Sequence, residues 1–196
     1  EVVFTTNMTG YQETLTDPSF CGQIVVMTYP LIGNYGVNFE DMESDKPALT
    51  AFIVREKCDY PSNFRTEMDL DGFLRQNKIM GLEGIDTRAL TKIIRNYGCM
   101  RGTITTKVGK LSDDDVKKRL DALDNSDVIS RVSTKRAYRI DGKGQRIAFI
   151  DMRAKAGIIR DFKKRGCEIF VFPYNVGAEE IDAVEPDMIF ISNGPG

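Results

Sequence analysis

Short apolar runs alternate with amphipathic segments in the last third of the chain. The runs cover residues 147–150, 169–172 and 188–191, and strands that are buried on both faces have this continuous apolar character. Between them, residues 158–162 and 178–184 have the spacing of short helices. The order strand–helix–strand–helix–strand predicts the opening of an α/β, doubly wound parallel sheet.

The preceding part of the chain is predicted to be mixed α and β structure. β-Branched and apolar runs predict strands at 2–6, 24–29, 51–54 and 100–106, with a loop over 31–45. Helices are predicted at 69–76, at 87–97 between the N-cap Asp86 and the stop Gly98, and from Ser112, whose partner Asp115 completes a capping box.

A polar stretch over 134–145 contains Asp-Gly-Lys-Gly and is predicted to join two domains. The predicted division is an N-terminal domain over 1–138, a linker over 139–145 and a second domain over 146–196. Three strands are too few for a complete doubly wound sheet, so we expect the second domain to be incomplete.

Composition excludes several kinds of function. The 27 basic and 29 acidic residues give a net charge of -2, so no charge excess favours nucleic acid or an anionic membrane. No apolar run reaches the roughly 20 residues of a membrane helix. Histidine is absent and the four cysteines are scattered, so zinc sites of the usual kind lack ligands. We expect a cytoplasmic protein in which Cys99 and Cys167 are buried structural thiols, while Cys21 and Cys58 remain ambiguous.

Two segments could carry a binding site, and each has an ordinary alternative. Residues 192–196, Ser-Asn-Gly-Pro-Gly, follow the third apolar strand of the second domain. Glycine N–H groups at that position can approach a ligand or stabilise an oxyanion, but spacing alone favours a plain turn. Residues 7–19 are dense in hydrogen-bonding groups, and spacing alone predicts a surface loop there.

Other polar clusters have structural explanations. The carboxylates of residues 113–115 lie in a first helical turn, where they suit the helix dipole better than they suit a metal. The basic residues 163–165 mark a helix end in the same way. No Gly-x-Gly-x-x-Gly follows the strand at 147–150, so nucleotide binding by this chain is weakly supported.

Several long motifs of unusual composition resemble the small subunit of the glutamine-dependent carbamoyl phosphate synthetase family. They include Asp-Pro-Ser at 17–19 and the closing Ser-Asn-Gly-Pro-Gly, and the matching segments are 1–4, 8–13, 15–20, 28–36, 62–65, 84–91, 98–102 and 190–196. The resemblance implies a swivelling β/β/α N-terminal domain followed by the first part of a class I glutamine amidotransferase domain, which has a flavodoxin-like parallel sheet.

The resemblance also implies a reaction. The small subunit would hydrolyse glutamine through a Cys-His-Glu triad, and the ammonia would pass to a large subunit. That partner would use bicarbonate and two ATP, with ATP and magnesium bound there and not by this chain, to make carbamoyl phosphate for arginine and pyrimidine biosynthesis.

Three residues correspond to the family's glutamine-binding positions: Ser19, Gly194 and Gly196, the last also as an oxyanion donor. None of the four cysteines matches the nucleophile's context, so the triad is expected downstream of Gly196 and the fragment itself is expected to be inactive. One run departs from the family pattern. Where Asp-Phe-Gly-x-Lys-x-Asn is usual, residues 151–157 carry arginine at 153 and glycine at 157.

Two hypotheses remain at this stage. The chain is either part of a glutaminase subunit or an assembly module, whose N-terminal domain docks a large partner without glutaminase activity. A downstream Gly-x-Cys elbow with later His and Glu would favour the first hypothesis.

Overall fold

The computed structural model describes residues 1–196 apart from 108, 110, 124–126, 195 and 196. The described strands are β1 (Val2–Thr5), β2 (Ile24–Met27), β3 (Leu31–Ile32), β4 (Ala51–Ile53), β5 (Glu56–Lys57), β6 (Met80–Leu82), β7 (Tyr138–Ile140), β8 (Arg146–Asp151), β9 (Glu168–Pro173) and β10 (Met188–Ile191). The helices are α1 (Tyr11–Thr16), α2 (Leu70–Gln76), α3 (Thr87–Tyr97), α4 (Asp113–Asp121), α5 (Val128–Val132), α6 (Ala156–Lys164) and α7 (Ala178–Asp182).

The first sheet has the order β1-β2-β4-β6, and all of its pairs are parallel. Strand β2 is buried along its whole length, because helices cover both faces of the sheet. Val25 and Met27 face the core that α1 and α2 build, whereas Ile24 and Val26 face α3. Two-sided burial explains why this strand has no polar alternation.

The second sheet has the order β10-β8-β9-β7. Strands β10, β8 and β9 run parallel, as the apolar runs predict, and Phe149 of β8 packs with Phe162 of α6 and Phe190 of β10. Strand β7 adds an antiparallel edge beside β9. The predicted linker therefore overlaps this sheet at residues 139 and 140, and only the turn over 141–145 separates β7 from β8.

Four sequence predictions are wrong. The segment over 31–45 is not all loop, because it begins with strand β3. Residues 100–106 form no strand, since only a single bridge joins Met100 to Val2, and a Cβ at Gly102 would lie 2.4 Å from a Val2 methyl carbon. The segment thus crosses β1 in close contact instead of pairing along it. Residues 7–19 are not a surface loop, because they include the buried helix α1. Cys99 is exposed, whereas Cys167 is buried as expected.

The predicted caps are confirmed. Asp86 accepts the N–H of Ala89 at the start of α3, and Ser112 and Asp115 form a complete capping box. None of the described helices is long and apolar enough to cross a membrane.

Candidate functional site

Two stacked tyrosines, the buried Tyr11 and the half-buried Tyr35, hold the polar segment that leads to Ser19. The rings of Tyr11 and Tyr35 stack with their centroids 4.1 Å apart. The hydroxyl of Tyr35 accepts the N–H groups of Gly10 and Tyr11, and the hydroxyl of Tyr11 donates to the carbonyl of Gly36 at 2.6 Å. Burial is the main cause that raises the pKa of both phenols. These hydrogen bonds fix the start of helix α1, and through it the position of the residues that follow the helix.

Polar side chains of α1 are buried because they bond to a distant loop. Gln12 exchanges two hydrogen bonds with the backbone of Asn38. The hydroxyl of Thr16 donates to the carbonyl of Gln12 and accepts the N–H of Glu43 at 3.0 Å. The N-terminal domain thus fixes two segments together, one that ends in Asp17-Pro18-Ser19 and one that carries Glu43.

Asp17 connects Ser19 to the second domain. One carboxylate oxygen accepts both the N–H of Ser19 at 2.9 Å and its hydroxyl at 2.6 Å. The other oxygen lies 2.8 Å from the ammonium of Lys155. The Asp17 side chain is 9% exposed and that of Lys155 is 41% exposed, so the carboxylate is enclosed while its cationic partner still reaches solvent.

The loop after β8, residues 151–155, is folded around its own aspartate. Asp151 accepts the N–H groups of Arg153 and Ala154 through one oxygen and the N–H of Thr134 through the other. Arg153 has a φ of 89°, a conformation that glycine adopts without strain. This explains why the family pattern has glycine there. The Arg153 guanidinium instead donates to the carbonyls of Val132 and Lys46.

Glu43 caps helix α6 from the other domain. Lys155 stands at the N-cap without a side-chain capping bond, and lysine is a poor N-cap residue. The carbonyl of Glu43 accepts the N–H of Ala156 at 2.9 Å, and its carboxylate accepts the N–H of Gly157 at 3.0 Å. A Cβ at Gly157 would lie 3.3 Å from that carboxylate. Glycine in place of the family's asparagine therefore suits the close approach of Glu43.

The segment after β10 is fastened to the same loop. The hydroxyl of Ser192 accepts the N–H of Met152 at 2.9 Å and donates to the carbonyl of Asn193. A Cβ at Gly194 would lie 3.2 Å from the carbonyl oxygen of Met152, so the backbone passes this loop closely. Gly196 lies outside the described residues.

The 151–155 loop is therefore the common neighbour of two predicted site residues. Ser19 reaches it through Asp17 and Lys155, and Gly194 reaches it through Met152. Within the described ranges, no hydrogen bond joins Ser19 directly to the 192–194 segment. Ser19 and Gly194 therefore lie near the same loop but are not bonded to each other.

A cavity of about 580 Å³ opens beside this loop, between the two domains. Its described lining includes Glu43, Asp151, Arg153 and Tyr138, but not Ser19 or Gly194. Burial raises the pKa of the Tyr138 phenol, and the nearby carboxylates of Asp151 and Asp45 raise it further. The cavity is thus a cleft with mixed apolar and charged lining, beside the loop that neighbours the predicted glutamine positions.

None of the cysteines has the surroundings of an activated thiol. Burial raises the pKa of Cys21, and Arg153 and Arg131 only partly offset that effect. Cys167 is enclosed in the core under α6, and the sequence contains no histidine to serve as a base.

Glu43 and the pairing of Asp17 with Lys155 are the parts that the sequence patterns do not reveal. Glu43 lies in a segment without periodicity, and its bonds reach residues more than 110 positions away. The glycine at 157, where the family pattern has asparagine, is the one local sign in the sequence that another residue approaches the start of α6.

Comparison with known proteins matches both parts of the chain. The family model for the carbamoyl-phosphate synthase small chain, CPSase domain, matches residues 1–104, and the model for the class-I glutamine amidotransferase matches residues 148–196. Proteins named carbamoyl phosphate synthase small chain are 59% identical in Clostridium perfringens and 53% identical in Bacillus cereus, in each case over the whole chain. A relative from Bacillus subtilis, 48% identical, is named the pyrimidine-specific small chain. The chain spans 56%, 53% and 54% of these relatives, or about half of their length.

Proposed function

Because the chain belongs to the carbamoyl-phosphate synthase small chain family, we propose that it forms part of a subunit that hydrolyses glutamine to glutamate and ammonia. A large subunit uses the ammonia with bicarbonate and two ATP to make carbamoyl phosphate. The product feeds arginine and pyrimidine biosynthesis, and ATP and magnesium bind to the large subunit. A cytoplasmic location stays a prediction.

The proposal rests mainly on the way Asp17 joins Ser19 to Lys155 across the two domains. Lys155 also agrees with the family pattern in the loop after β8. Since a Cβ at Gly194 would lie only 3.2 Å from the carbonyl oxygen of Met152 in the same loop, we expect glutamine bound there to contact both domains. Ser19 and Gly194 are the proposed walls of that pocket, and Gly196 is the proposed oxyanion donor.

The bonds of Ser19 limit what its hydroxyl does for a substrate. A serine hydroxyl has one proton and two lone pairs, and the proton is engaged by Asp17 at 2.6 Å. Towards glutamine, Ser19 therefore presents an acceptor, which suits an N–H donor of the substrate. Asp17 orients this acceptor, and Lys155 balances the charge of Asp17.

The nucleophile does not come from this chain in the proposal. Hydrolysis needs a thiolate with a general base, and the sequence has no histidine. The Cys-His-Glu triad of the proposed reaction is therefore expected outside these 196 residues. The 196-residue chain alone is expected to release no glutamate from glutamine above background.

Glutamate release, measured by a coupled dehydrogenase assay, tests the proposal at two levels. Measurable turnover by the 196-residue chain would show that the nucleophile has been placed wrongly. In the full-length protein with its large subunit, Ser19→Ala is expected to raise KM for glutamine about fivefold with little change in kcat, since one hydrogen bond that contributes about 1 kcal/mol is lost.

Ser130→Ala is the matched control, because Ser130 is also half-buried and its hydroxyl donates to the carbonyl of Asp127, within its own helix region. It is expected to leave KM unchanged. Equal KM values for Ser19→Ala and the parent would show that Ser19 does not bind glutamine. A full-length complex without glutaminase activity would favour the assembly-module hypothesis instead.

A further inference from the structure

A second cavity, of about 420 Å³, lies in the N-terminal domain, away from the cleft between the domains. It opens where three neighbouring parallel strands end. Thr6 follows β1, Thr28 follows β2, and Arg55 comes two residues after β4, while one face of α3 forms the other wall from Thr87 to Arg95. The carboxyl ends of adjacent parallel strands are where open α/β sheets bind ligands.

The described lining of this cavity carries four cationic side chains and no acidic one: Arg55, Arg88, Lys92 and Arg95. Arg88, Lys92 and Arg95 are spaced by four and three residues, so they share one face of α3. In the described part of the chain, none of the four has an ion pair within 4.0 Å or a side-chain hydrogen bond, although ten other ion pairs occur.

Neither the net charge of the chain nor the stability of α3 explains this cluster of four cationic side chains. The chain as a whole has a net charge of -2. Like charges at i,i+3 and i,i+4 disfavour a helix, so the three cations along one face of α3 destabilise that helix. The start of α3 also has its own cap, because Asp86 accepts the N–H of Ala89. The side chains, and not the helix end, therefore distinguish this cavity.

Hydroxyl groups add hydrogen-bonding capacity beside the cations. Thr87 is 1% exposed and Thr91 lies one turn further along the same wall. Among the described residues, the hydroxyl oxygen of Thr91 is the one buried side-chain polar atom without a hydrogen-bond partner. A buried hydroxyl left without a partner is unfavourable, and this one belongs to a residue that lines the cavity.

We propose that this cavity binds a small, multiply charged oxyanion of the phosphate or polycarboxylate class. Arginine guanidinium groups match the geometry of both oxyanions, and several cations around one cavity suit a ligand with more than one negative charge. The described lining of this site includes none of the predicted glutamine positions, because it comes from α3 and from residues that follow β1, β2 and β4.

Calorimetric titration of the full chain with pyrophosphate and, separately, with citrate at matched ionic strength tests this site. At least one of the two is expected to bind at a single saturable site. Arg88→Gln combined with Arg95→Gln is expected to weaken that binding about tenfold or more, since two charge-assisted contacts are removed. The probe that binds more tightly identifies the ligand class.

Arg119→Gln combined with Arg136→Gln is the control, because it makes the same change in net charge at exposed positions outside the described lining. It is expected to leave the affinity unchanged. The thermal midpoint of the cavity variant should not fall, because the variant relieves like-charge repulsion on α3; this separates lost binding from lost folding.

Two results would overturn the proposal. One is no saturable binding of either probe, and the other is equal affinity of the cavity variant and the parent. If neither probe binds and the cavity variant also weakens association with the large subunit, this face is a protein-docking surface instead.

Discussion

Replacement of Asp17 by asparagine tests the connection between the two domains with little change in shape. The asparagine carbonyl can still accept the N–H and the hydroxyl of Ser19, which now share one oxygen of Asp17. What disappears is the negative charge that faces Lys155 at 2.8 Å. Asp17→Asn therefore isolates the bond between the domains from the bonds within the Asp-Pro-Ser turn.

The magnitude follows from the exposure of the two partners. A hydrogen bond to a charged group contributes roughly 1.5–3 kcal/mol. The Lys155 side chain is 41% exposed, so solvent screening reduces that value, and after the change the ammonium can turn towards water. We expect a loss of about 1–2 kcal/mol in the free energy of unfolding.

A double-mutant cycle in urea denaturation measures this bond directly. The cycle combines Asp17→Asn with Lys155→Met, which keeps the length of the stem, and the coupling energy should be about 1 kcal/mol. Asp141→Asn is the control, because Asp141 pairs with Arg139 but is 89% exposed; its loss should stay below about 0.5 kcal/mol. A coupling energy indistinguishable from zero would refute the argument that Asp17 and Lys155 hold the domains together.

The parallel strands were predictable because their signal is local. Strands β8, β9 and β10 are short apolar runs between turn signals, and each lies where the pattern predicts it. The capping residues Asp86 and Ser112 were equally clear, since a cap acts within three or four residues of itself.

Strand β7 was missed because the forces that form it are not local. It is a polar edge strand, and its antiparallel partner β9 lies about 30 residues away. Arg139 stands over the ring of Phe170 and pairs with Glu168. An arginine with such partners is indistinguishable in sequence from an arginine in a linker.

Helix α1 was missed for a related reason. Buried Gln12 and Thr16 are polar, and their hydrogen-bond partners Asn38 and Glu43 lie more than 25 positions away. Burial of polar groups is favourable only when partners are present, and a single-sequence pattern does not show partners. The resemblance of the motifs therefore singled out Ser19 as a candidate, whereas the physical pattern around it predicted only a loop.

Two further changes test the packing of the turn before β8 and the ionisation of a buried tyrosine in the N-terminal domain. In Gly142→Ala the new Cβ would lie 2.2 Å from the backbone oxygen of Cys167, so we expect the free energy of unfolding in urea to fall by about 2 kcal/mol or more. Gly177→Ala is the control, because its Cβ would meet only the Glu180 carboxylate, at 3.8 Å. Its free energy of unfolding should change little. Tyr11→Phe should reduce the loss of stability at alkaline pH. Burial raises the pKa of the Tyr11 phenol above its usual value of 10.0, so its contribution is fully present below about pH 10 and is lost as the pH rises through the folded-state pKa. The variant should lose about 1 kcal/mol at neutral pH, where the phenol still donates a hydrogen bond, yet its stability should fall less steeply above about pH 10. Some slope should remain because the pKa of Tyr35 is raised as well. An alkaline slope equal to that of the parent would contradict the assignment of this ionisation to Tyr11.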